Sequence, residues 1–176
     1  MDRNIKNMEY QKSQDGFEEQ IVQVSRVSKK TKGGNKIGFS VLVVVGNKAG
    51  KVGVGLGKAG DVSSSIKKGV SLAKKHVIEV PIVNGTIPFE FYIKLGAAKV
   101  LLKPAPPGSG VIAGGAVRSV VSLAGIENIS SKVLGTGNKA SNVYATIEAL
   151  TRNALRYERE KQRKVTYAAK IFKNNN

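Results

Sequence analysis

Two segments between residues 38 and 58, one dense in β-branched residues and one alternating apolar residues with glycine, are typical of β-strands. The run 38–45 is dense in β-branched residues and places apolar side chains on both faces: Phe39, Val41, Val43 and Val45 on one, Leu42 and Val44 on the other. It predicts a strand that is buried on both sides. Turn residues follow at 47–50, and the segment 51–58 predicts the returning strand of a hairpin. With a further strand predicted over 19–27, these segments indicate an antiparallel sheet.

After Asp61 the spacing of apolar residues becomes that of an amphipathic helix. Its apolar stripe is Val62, Ile66, Val70, Ala73 and Val77, and a separate arc holds Lys67, Lys68, Lys74 and Lys75. Asp61 suits the N-cap position, because a carboxylate there accepts a hydrogen bond from a free backbone N–H. His76, the single histidine, falls at the other end of the helix, and we expect it to cap that end.

The second half of the chain predicts another sheet, packed with two helices. Apolar runs at 80–83, 86–94 and 99–102 are predicted strands, separated by Asn84-Gly85 and by Gly96. A helix follows the Pro- and Gly-rich segment 104–115; it ends at Gly125, and its stripe is Val117, Val120, Val121 and Ala124. A strand is predicted near 129–134. A last helix starts at Ser141 or Asn142 and runs on into the tail, with one face formed by Val143, Ile147, Leu150 and Ala154. The fold class is therefore α+β.

Charge is distributed unevenly along the 176 residues, whose formal net charge is +17. Residues 1–25 balance to −2, residues 26–75 to +11, residues 76–151 to +2 and residues 152–176 to +6. So large a local excess points to a polyanionic partner. We expect a nucleic-acid face within 26–75, a protein-packing region after it and then a basic tail. A merely solvated basic surface is the alternative.

What the sequence lacks excludes several classes of protein. Cysteine is absent, which removes disulfides, thiolate catalysis and cysteine-ligated zinc. No apolar run approaches the roughly 18 residues that a spanning helix needs, so we expect no membrane partner. The first 16 residues are polar and resemble no targeting segment. We expect a disordered extension on a cytoplasmic protein.

The segment Ser28–Lys36 is predicted as a loop that places four lysines among small residues. Lysine acts as a point charge toward phosphates, and glycine lets the backbone approach closely. Taken alone, such a loop is often only solvated. The predicted RNA-binding residues are Arg26, Lys29, Lys30, Lys32, Gly33, Gly34, Lys36, Lys51, Gly53, Gly55, Gly57, Lys58, Lys67 and Lys68.

Glycine alternates with apolar residues from Val52 to Lys58, so one face of this strand is bare backbone. A bare face admits another backbone, and we assign its glycines to the RNA interface. The alternative is that a helix packs there. The phosphate-loop motif is incomplete, with Val52 in place of a glycine and Ala59 in place of a hydroxyl residue. The dinucleotide motif lacks a third glycine at Lys58.

The glycine-rich segment 107–115 before a helix is the strongest indication of an enzyme, because free amides at a helix N-terminus bind phosphate. A kinase would also need carboxylates for magnesium and for a base, but Asp2, Asp15 and Asp61 all lie far from it in the sequence. With a single histidine, the chain lacks the residues that a catalytic triad or a metal cluster requires. We expect no enzyme, no cofactor and no metal, and keep nucleotide binding by 107–115 as the competing hypothesis.

Three stretches of the chain resemble bacterial-type small ribosomal subunit protein five. The first is Gly33–Ala59, GGNKIGFSVLVVVGNKAGKVGVGLGKA, and the second is Gly96–Ile126, GAAKVLLKPAPPGSGVIAGGAVRSVVSLAGI. The third is Ser130–Leu150, SSKVLGTGNKASNVYATIEAL, which is similar to the family's final helix region. The motifs are long and specific, and the resemblance spans roughly residues 19–150.

The resemblance implies a bipartite α+β protein. Its N-terminal domain would be an antiparallel sheet plus helix, like a double-stranded-RNA-binding domain, and its C-terminal domain an α/β sandwich of a sheet with two helices. We place the extension at 1–16, the RNA-binding domain at 17–80, the C-terminal domain at 81–155 and the basic tail at 156–176. The implied function is that of a structural constituent of the small ribosomal subunit, which binds its rRNA and supports its assembly.

The resemblance also implies particular contacts. The segment Ser28–Lys36 would enter the rRNA and corresponds to the loop where spectinomycin resistance changes arise in the family. The contact with the fourth small-subunit protein, where translational accuracy is tuned, would involve Gly110, Gly114, Gly115 and Arg118. Members of the family also touch the eighth small-subunit protein and lie near the path by which messenger RNA enters the ribosome. The acidic start and the tail after Arg152 depart from the family, so their partners are not implied.

Overall fold

The computed structural model describes the backbone of residues 11–12 and 16–174, and the side chains of residues 16–164. These residues form an α+β fold, as predicted, with two sheets and three helices. The first sheet has the order β1 (Gln11–Lys12), β2 (Glu18–Thr31), β3 (Gly34–Gly46), β4 (Lys51–Ala59) and β5 (Val77–Glu79). The second has the order β6 (Phe91–Leu95), β7 (Ala98–Pro104), β9 (Ile129–Val133) and β8 (Val111–Ile112). The helices are α1 (Val62–Lys75), α2 (Gly115–Ala124) and α3 (Lys139–Asn174).

The central strand of the first sheet is β3, which pairs antiparallel with β2 and with β4. It is buried on both faces, as its sequence predicts. Leu42 and Val44 belong to the larger hydrophobic core, whereas Val41, Val43 and Val45 form a smaller core with Ala73 of α1. Both layers of the N-terminal half are therefore organised around this one strand.

The start of the chain differs in part from the predicted disorder over residues 1–16. Gln11 and Lys12 pair with Glu19 and Glu18 as the short edge strand β1, so the prediction is wrong for these two residues. Pairing to the exposed edge of β2 satisfies their backbone groups. Residues 1–10 and 13–15 lie outside the described part of the chain.

Helix α1 packs on the glycine face of β4, and both surfaces consist of small residues. The pairing sets Gly57 against Ser65, Gly55 against Gly69 and Gly53 against Ala73, all of them buried. A Cβ at any of the three β4 glycines would overlap a backbone carbonyl oxygen of α1. The helix-packing alternative is correct, and the assignment of Gly53, Gly55 and Gly57 to the RNA interface is wrong because α1 covers them.

Both ends of α1 are capped as predicted. The Asp61 carboxylate accepts a hydrogen bond from the backbone N–H of Ser64 at 2.7 Å. His76 is the C-cap residue, and its ring Nδ1 lies 2.9 Å from the carbonyl oxygen of Leu72. The predicted place of Val77 on the helix stripe is wrong, because the chain leaves the helix at His76 and Val77 begins β5.

Asp61 makes the stability of the fold depend on pH. The hydrogen bond from the Ser64 backbone lowers the pKa of Asp61 below its ordinary value of 3.8, with a further contribution from the Ser64 side chain. A carboxyl group whose pKa is lowered by folding stabilises the fold above its unfolded pKa, and that stabilisation is lost as the pH falls through the folded pKa.

We therefore expect Asp61→Ala to destabilise the chain near neutral pH and to differ less from the wild type at about pH 3. Urea unfolding of both chains at the two pH values measures this gap. Asp61→Asn is the control, because its amide can still cap the helix but does not titrate. A gap of equal size at both pH values would contradict the assignment.

Prolines shorten the strands predicted for the second sheet. Residues 80–83 contain Pro81 and form only an isolated bridge between Val83 and Thr86. The predicted strand 86–94 contains Pro88 and is reduced to β6, which starts at Phe91. Proline cannot donate a backbone hydrogen bond to a neighbouring strand, so regular pairing is interrupted at both places. The strands predicted near 99–102 and 129–134 are confirmed as β7 and β9.

The two helices of the second half agree with the sequence pattern in position. Helix α2 ends at Gly125, whose φ of 88° is the left-handed conformation that favours glycine. Helix α3 starts at Lys139, slightly earlier than predicted, because the side chain of Asn138 accepts a hydrogen bond from Ala140 N at 3.0 Å. It continues through the tail region to Asn174 as one helix. In the described part of the chain, no helix is long and apolar enough to cross a membrane.

One hydrophobic core joins the two sheets. It contains Leu42 and Val54 from the first sheet together with Leu102 and Ile129 from the second. The turn after β3 is bound to the end of α2, since Lys48 N donates to the Leu123 carbonyl at 3.0 Å and Gly50 N to the Ala124 carbonyl at 2.9 Å. The two halves therefore stabilise each other, and their division at residue 80 stays a prediction.

Candidate nucleic-acid interface

A β-ribbon projects from the first sheet where its third strand ends. Strand β4 stops at Ala59, opposite Phe39, while β2 and β3 continue and pair with each other as far as Thr31 and Gly34. Every residue from Arg26 to Ile37 is exposed. We call this ribbon the lysine hairpin. The prediction of a loop over Ser28–Lys36 is wrong, because only Lys32 and Gly33 lie between the two strands.

The tip of the lysine hairpin is closed by a two-residue turn. The Thr31 hydroxyl donates a hydrogen bond to the Gly34 carbonyl at 2.8 Å. Gly34 has a φ of 125°, which a residue with a side chain rarely adopts. A Cβ at Gly33 or Gly34 would meet nothing within 4 Å, so the backbone of the turn is open to a partner. The RNA-binding role of the two turn glycines stays a prediction.

Cations cover both faces of the lysine hairpin. Lys29 lies directly opposite Lys36 on one face, and Lys30 lies opposite Asn35 on the other. Directly opposite residues of an antiparallel pair have Cβ atoms about 5 Å apart, and like charges at that distance destabilise the pair. Between Glu19 and Asp61 the sequence has no acidic residue that could neutralise them. Binding of an anion from outside the chain would therefore stabilise the arrangement.

Further cations lie at the base of the lysine hairpin. Arg26 is paired with Phe39, and Lys58 with the neighbouring Ser40. The Ser65 hydroxyl of α1 donates to the Phe39 carbonyl at 3.0 Å, which fixes the first half of α1 against the same part of β3. This half of α1 carries the exposed Lys67 and Lys68. The structure thus gathers most of the predicted RNA-binding cations into one surface.

Lys51 is separate from this surface. It lies at the opposite end of β4 from Lys58, about 20 Å away at the usual rise along a strand. Its ammonium group also forms an ion pair with Glu79 at 3.1 Å. The sequence could not place it, because spacing along a strand does not show which end faces a partner.

The predicted protein-interface residues form a second exposed region at the start of α2. Gly110, Gly114, Gly115 and Arg118 are all exposed, and the side chain of Ile112 between them is 58% exposed. Gly110 N donates to the Asn128 side chain at 3.1 Å, and Arg118 donates to the Val111 carbonyl at 3.4 Å. These bonds hold the segment in a defined conformation while its apolar side chain stays accessible.

The sequence pattern did not reveal a second basic surface, on α3. The predicted domain division assigns residues 156–176 to a basic tail and gives none of their side chains a place, whereas Arg152, Arg156, Arg159 and Arg163 line a groove beside β6. The four arginines follow one another at spacings of four, three and four residues, and these spacings place them on one side of a helix.

The fold and the gathered cations define a class, that of structural RNA-binding proteins. Comparison with known families agrees with this class and refines it. Residues 17–81 match the family model of the ribosomal protein S5 N-terminal domain, and residues 93–163 match that of the ribosomal protein S5 C-terminal domain. Together the matches cover well over half of the chain, which belongs to the ribosomal protein S5 family.

Curated relatives are similar over most of the chain. Small ribosomal subunit protein uS5 of Thermotoga neapolitana is 55% identical over 134 residues, which are 76% of this chain and 75% of the relative. The uS5 protein of Salinibacter ruber is 51% identical over 158 residues, or 89% of this chain and 90% of the relative. The uS5c protein of Pyropia yezoensis is 52% identical over 137 residues, or 77% and 79%.

Family membership makes the chain a structural ribosomal protein and not an enzyme. The competing hypothesis of nucleotide binding by residues 107–115 is therefore set aside. Of the aspartates, Asp61 serves instead as the N-cap of α1. Among the described residues, no group of three or more histidine, aspartate or glutamate side chains is placed to hold a metal ion.

Proposed function

We propose that the chain is a structural constituent of the small ribosomal subunit in the cytoplasm and that it anchors the rRNA of that subunit through the lysine hairpin. Its family and the names of its relatives support the place in the small subunit. The observation that supports the anchoring is the exposed Lys29–Lys36 pair, because two opposed cations on a projecting ribbon favour an anionic partner.

The hairpin would act by shape and charge. Beyond Phe39 each strand extends by about five residues, or roughly 15 Å, which is long enough to enter between RNA helices. Lysine ammonium groups contact phosphates without reading bases, so the contact fixes position and orientation. The two turn glycines let the backbone come close to the RNA. Lys58, Lys67 and Lys68 extend the same electrostatic contact to the body of the domain.

The exposed segment from Gly110 to Arg118 serves as a protein contact. Its apolar Ile112 and its fixed backbone suit packing against the fourth small-subunit protein, and this contact would influence translational accuracy. The eighth small-subunit protein and messenger RNA near its path into the ribosome are the further partners that the family resemblance implies. Support for assembly follows, because a chain that binds both rRNA and neighbouring proteins favours the assembled arrangement.

Charge reversal in the hairpin tests the anchoring. We expect the triple variant Lys29→Glu, Lys30→Glu, Lys32→Glu to weaken binding to small-subunit rRNA and to make its salt dependence shallower. Each lost phosphate contact removes about 0.7 to 0.9 from the slope of log K against log salt, so the slope should fall by about 2 to 3. Filter binding of the full chain over a range of salt concentrations measures both effects.

The matched control reverses three exposed lysines elsewhere, Lys94, Lys132 and Lys139, with the same change in net charge. We expect this variant to keep most of the slope. If the two triple variants lowered the slope equally, the effect would come from net charge, and the lysine hairpin would not be the anchor.

A further inference from the structure

Arginine is concentrated in one short part of α3. The chain has seven arginines among its 29 basic residues, and four of the seven are Arg152, Arg156, Arg159 and Arg163. Everywhere else the chain uses mainly lysine. Arginine differs from lysine in its planar guanidinium group, which donates two parallel hydrogen bonds to a phosphate or carboxylate. A local change to arginine therefore indicates a demand for geometry as well as charge.

The four arginines form a straight stripe on the helix surface. At about 100° per residue they fall within an arc of roughly 60°, and at 1.5 Å per residue they span about 16 Å along the axis. We call them the arginine stripe. Lys161 and Lys164 point away from it, at about 180° and 120° from Arg152. One side of α3 is thus distinguished from the rest of its basic surface.

The arginine stripe borders an open groove of about 520 Å³. The apolar lining of the groove is Phe91 of β6 and Leu155, whose side chain is 49% exposed. Arg156 lies over the ring of Phe89 at 4.4 Å from its centroid, and Asn153 donates to the Phe89 carbonyl at 2.7 Å. These contacts fix α3 against the segment before β6, so the groove is a defined feature of the fold.

Charge along the stripe is compensated only at one end. Arg152 pairs with Glu148 at 2.8 Å and Arg156 with Glu160 at 3.4 Å. Among the described residues, Arg159 and Arg163 form no ion pair. This end of the groove therefore holds two guanidinium groups without an ion pair among the described residues, beside the Glu160 carboxylate that is paired with Arg156.

We propose that the arginine stripe is a second RNA-binding surface, which holds the phosphates of an rRNA strand while an unpaired base packs on Phe91 and Leu155. The proposal rests on the proposed function in taking rRNA as the ligand. Guanidinium forks match phosphate oxygens, and an apolar patch beside them suits a base, which stacks on apolar or aromatic side chains. Carboxylates of an acidic protein also match guanidinium forks, but the apolar patch of Phe91 and Leu155 beside them favours a nucleic-acid base.

The test is the double variant Arg159→Glu, Arg163→Glu in the full chain, with small-subunit rRNA as the probe. We expect the salt-dependence slope to fall by about 1.5, the value for two lost phosphate contacts. The matched control is Lys161→Glu, Lys164→Glu, which makes the same change in charge on another side of the same helix. Circular dichroism of both variants shows whether α3 is retained. Arg159→Lys, Arg163→Lys keeps the charge, so it should preserve the slope while weakening affinity through loss of the fork.

The outcomes separate this inference from the proposed function. A lower slope for the arginine reversal alone supports the stripe, whatever the hairpin variant does. Equal losses for the arginine and lysine reversals overturn it in favour of a diffuse charge effect. If the arginine reversal left rRNA binding unchanged but blocked incorporation into small subunits, the occupant would be a protein, which also overturns it. A hairpin variant with full rRNA affinity would refute the proposed anchor and leave the stripe to be judged on its own result.

Photocrosslinking gives a second measurement that does not depend on charge. A photoreactive side chain at position 155 lies inside the groove, whereas one at position 161 lies on the other side of α3. In assembled subunits we expect crosslinks to rRNA from position 155 and few from position 161. Crosslinks from 155 to protein alone would contradict the proposal.

Discussion

Replacing Gly55 by valine is expected to prevent stable folding of the chain. A Cβ at position 55 would overlap the Gly69 carbonyl oxygen and lie 2.6 Å from the backbone nitrogen of Ala73. Both atoms belong to the backbone of α1, so no side-chain rotation can relieve the contact, and the helix would have to leave the sheet. We expect a loss of about 4 kcal/mol or more in the free energy of unfolding, at the upper end for single substitutions. Urea unfolding of the full chain measures it.

Gly60→Val is the matched control. Gly60 lies just after β4, has no left-handed φ, and a Cβ there would meet nothing within 4 Å. The same residue change should therefore have a small effect. Equal stability of the Gly55→Val and wild-type chains would mean that α1 does not pack on β4 as described.

Replacing Gly125 by alanine is expected to separate the two halves of the molecule. Its φ of 88° is unfavourable for alanine, and a Cβ would also lie 2.5 Å from the carbonyl carbon of Lys48. This contact joins the end of α2 to the turn after β3. We expect about 3 to 4 kcal/mol of destabilisation, from about 1 kcal/mol of backbone strain plus the displacement of the turn.

The variant Gly96→Ala distinguishes the two causes of destabilisation, which are the backbone strain and the contact with Lys48. Gly96 also has a positive φ, 57°, but a Cβ there would meet nothing within 4 Å. Gly96→Ala should therefore lower the free energy of unfolding by the backbone strain alone, about 1 kcal/mol. If both substitutions gave the same loss in urea unfolding, the contact between Gly125 and Lys48 would contribute nothing. If the Gly125→Ala chain unfolded in two separate transitions, the two halves would be unfolding independently. That result would show that the contact at Gly125 couples them.

Local chemistry predicted those parts of the fold in which one residue decides the conformation. Asp61 indicated the start of α1, and Gly125 the end of α2, because a free N–H and a left-handed φ each select a residue type. The buried strand β3 was predicted from β-branched residues on both of its faces. These signals act within a few residues, so the sequence alone contains them.

Features that depend on distant partners were not predicted. The lysine hairpin looked like a loop because Lys29 and Lys30 have low strand propensity, and only pairing with β3 makes them a strand. The bare face of β4 was recognised and a covering helix was kept as the alternative, but its glycines were assigned to the RNA interface. The small residues Ser65, Gly69 and Ala73 recur every four positions on α1 and were the available signal. The apolar stripe drew attention to Ile66 and Val70, which are only partly buried.

The sequence predicted the types of residue in the candidate site better than it predicted where they lie in the structure. Counting charges located the surface around the lysine hairpin, because the net charge of +11 over residues 26–75 follows from the sequence alone. It could not separate Lys51, which pairs with Glu79, from Lys58, which lies near the hairpin base. The predicted last helix already ran into the tail, but the groove beside the arginine stripe depends on Phe91 of β6, which is distant in the sequence.

The opposed pair Lys29 and Lys36 has a consequence for how ions act on this protein. In the free chain the two ammonium groups repel each other, and added salt screens that repulsion, so salt should make the ribbon stiffer. In the proposed complex with rRNA, the cations of the same salt compete with the lysines for the phosphates and loosen the contact. Ionic strength thus has opposite effects on the two states. At low salt both the repulsion within the free ribbon and the attraction of its lysines to phosphates are strongest, so docking then adds the most to the stability of the ribbon.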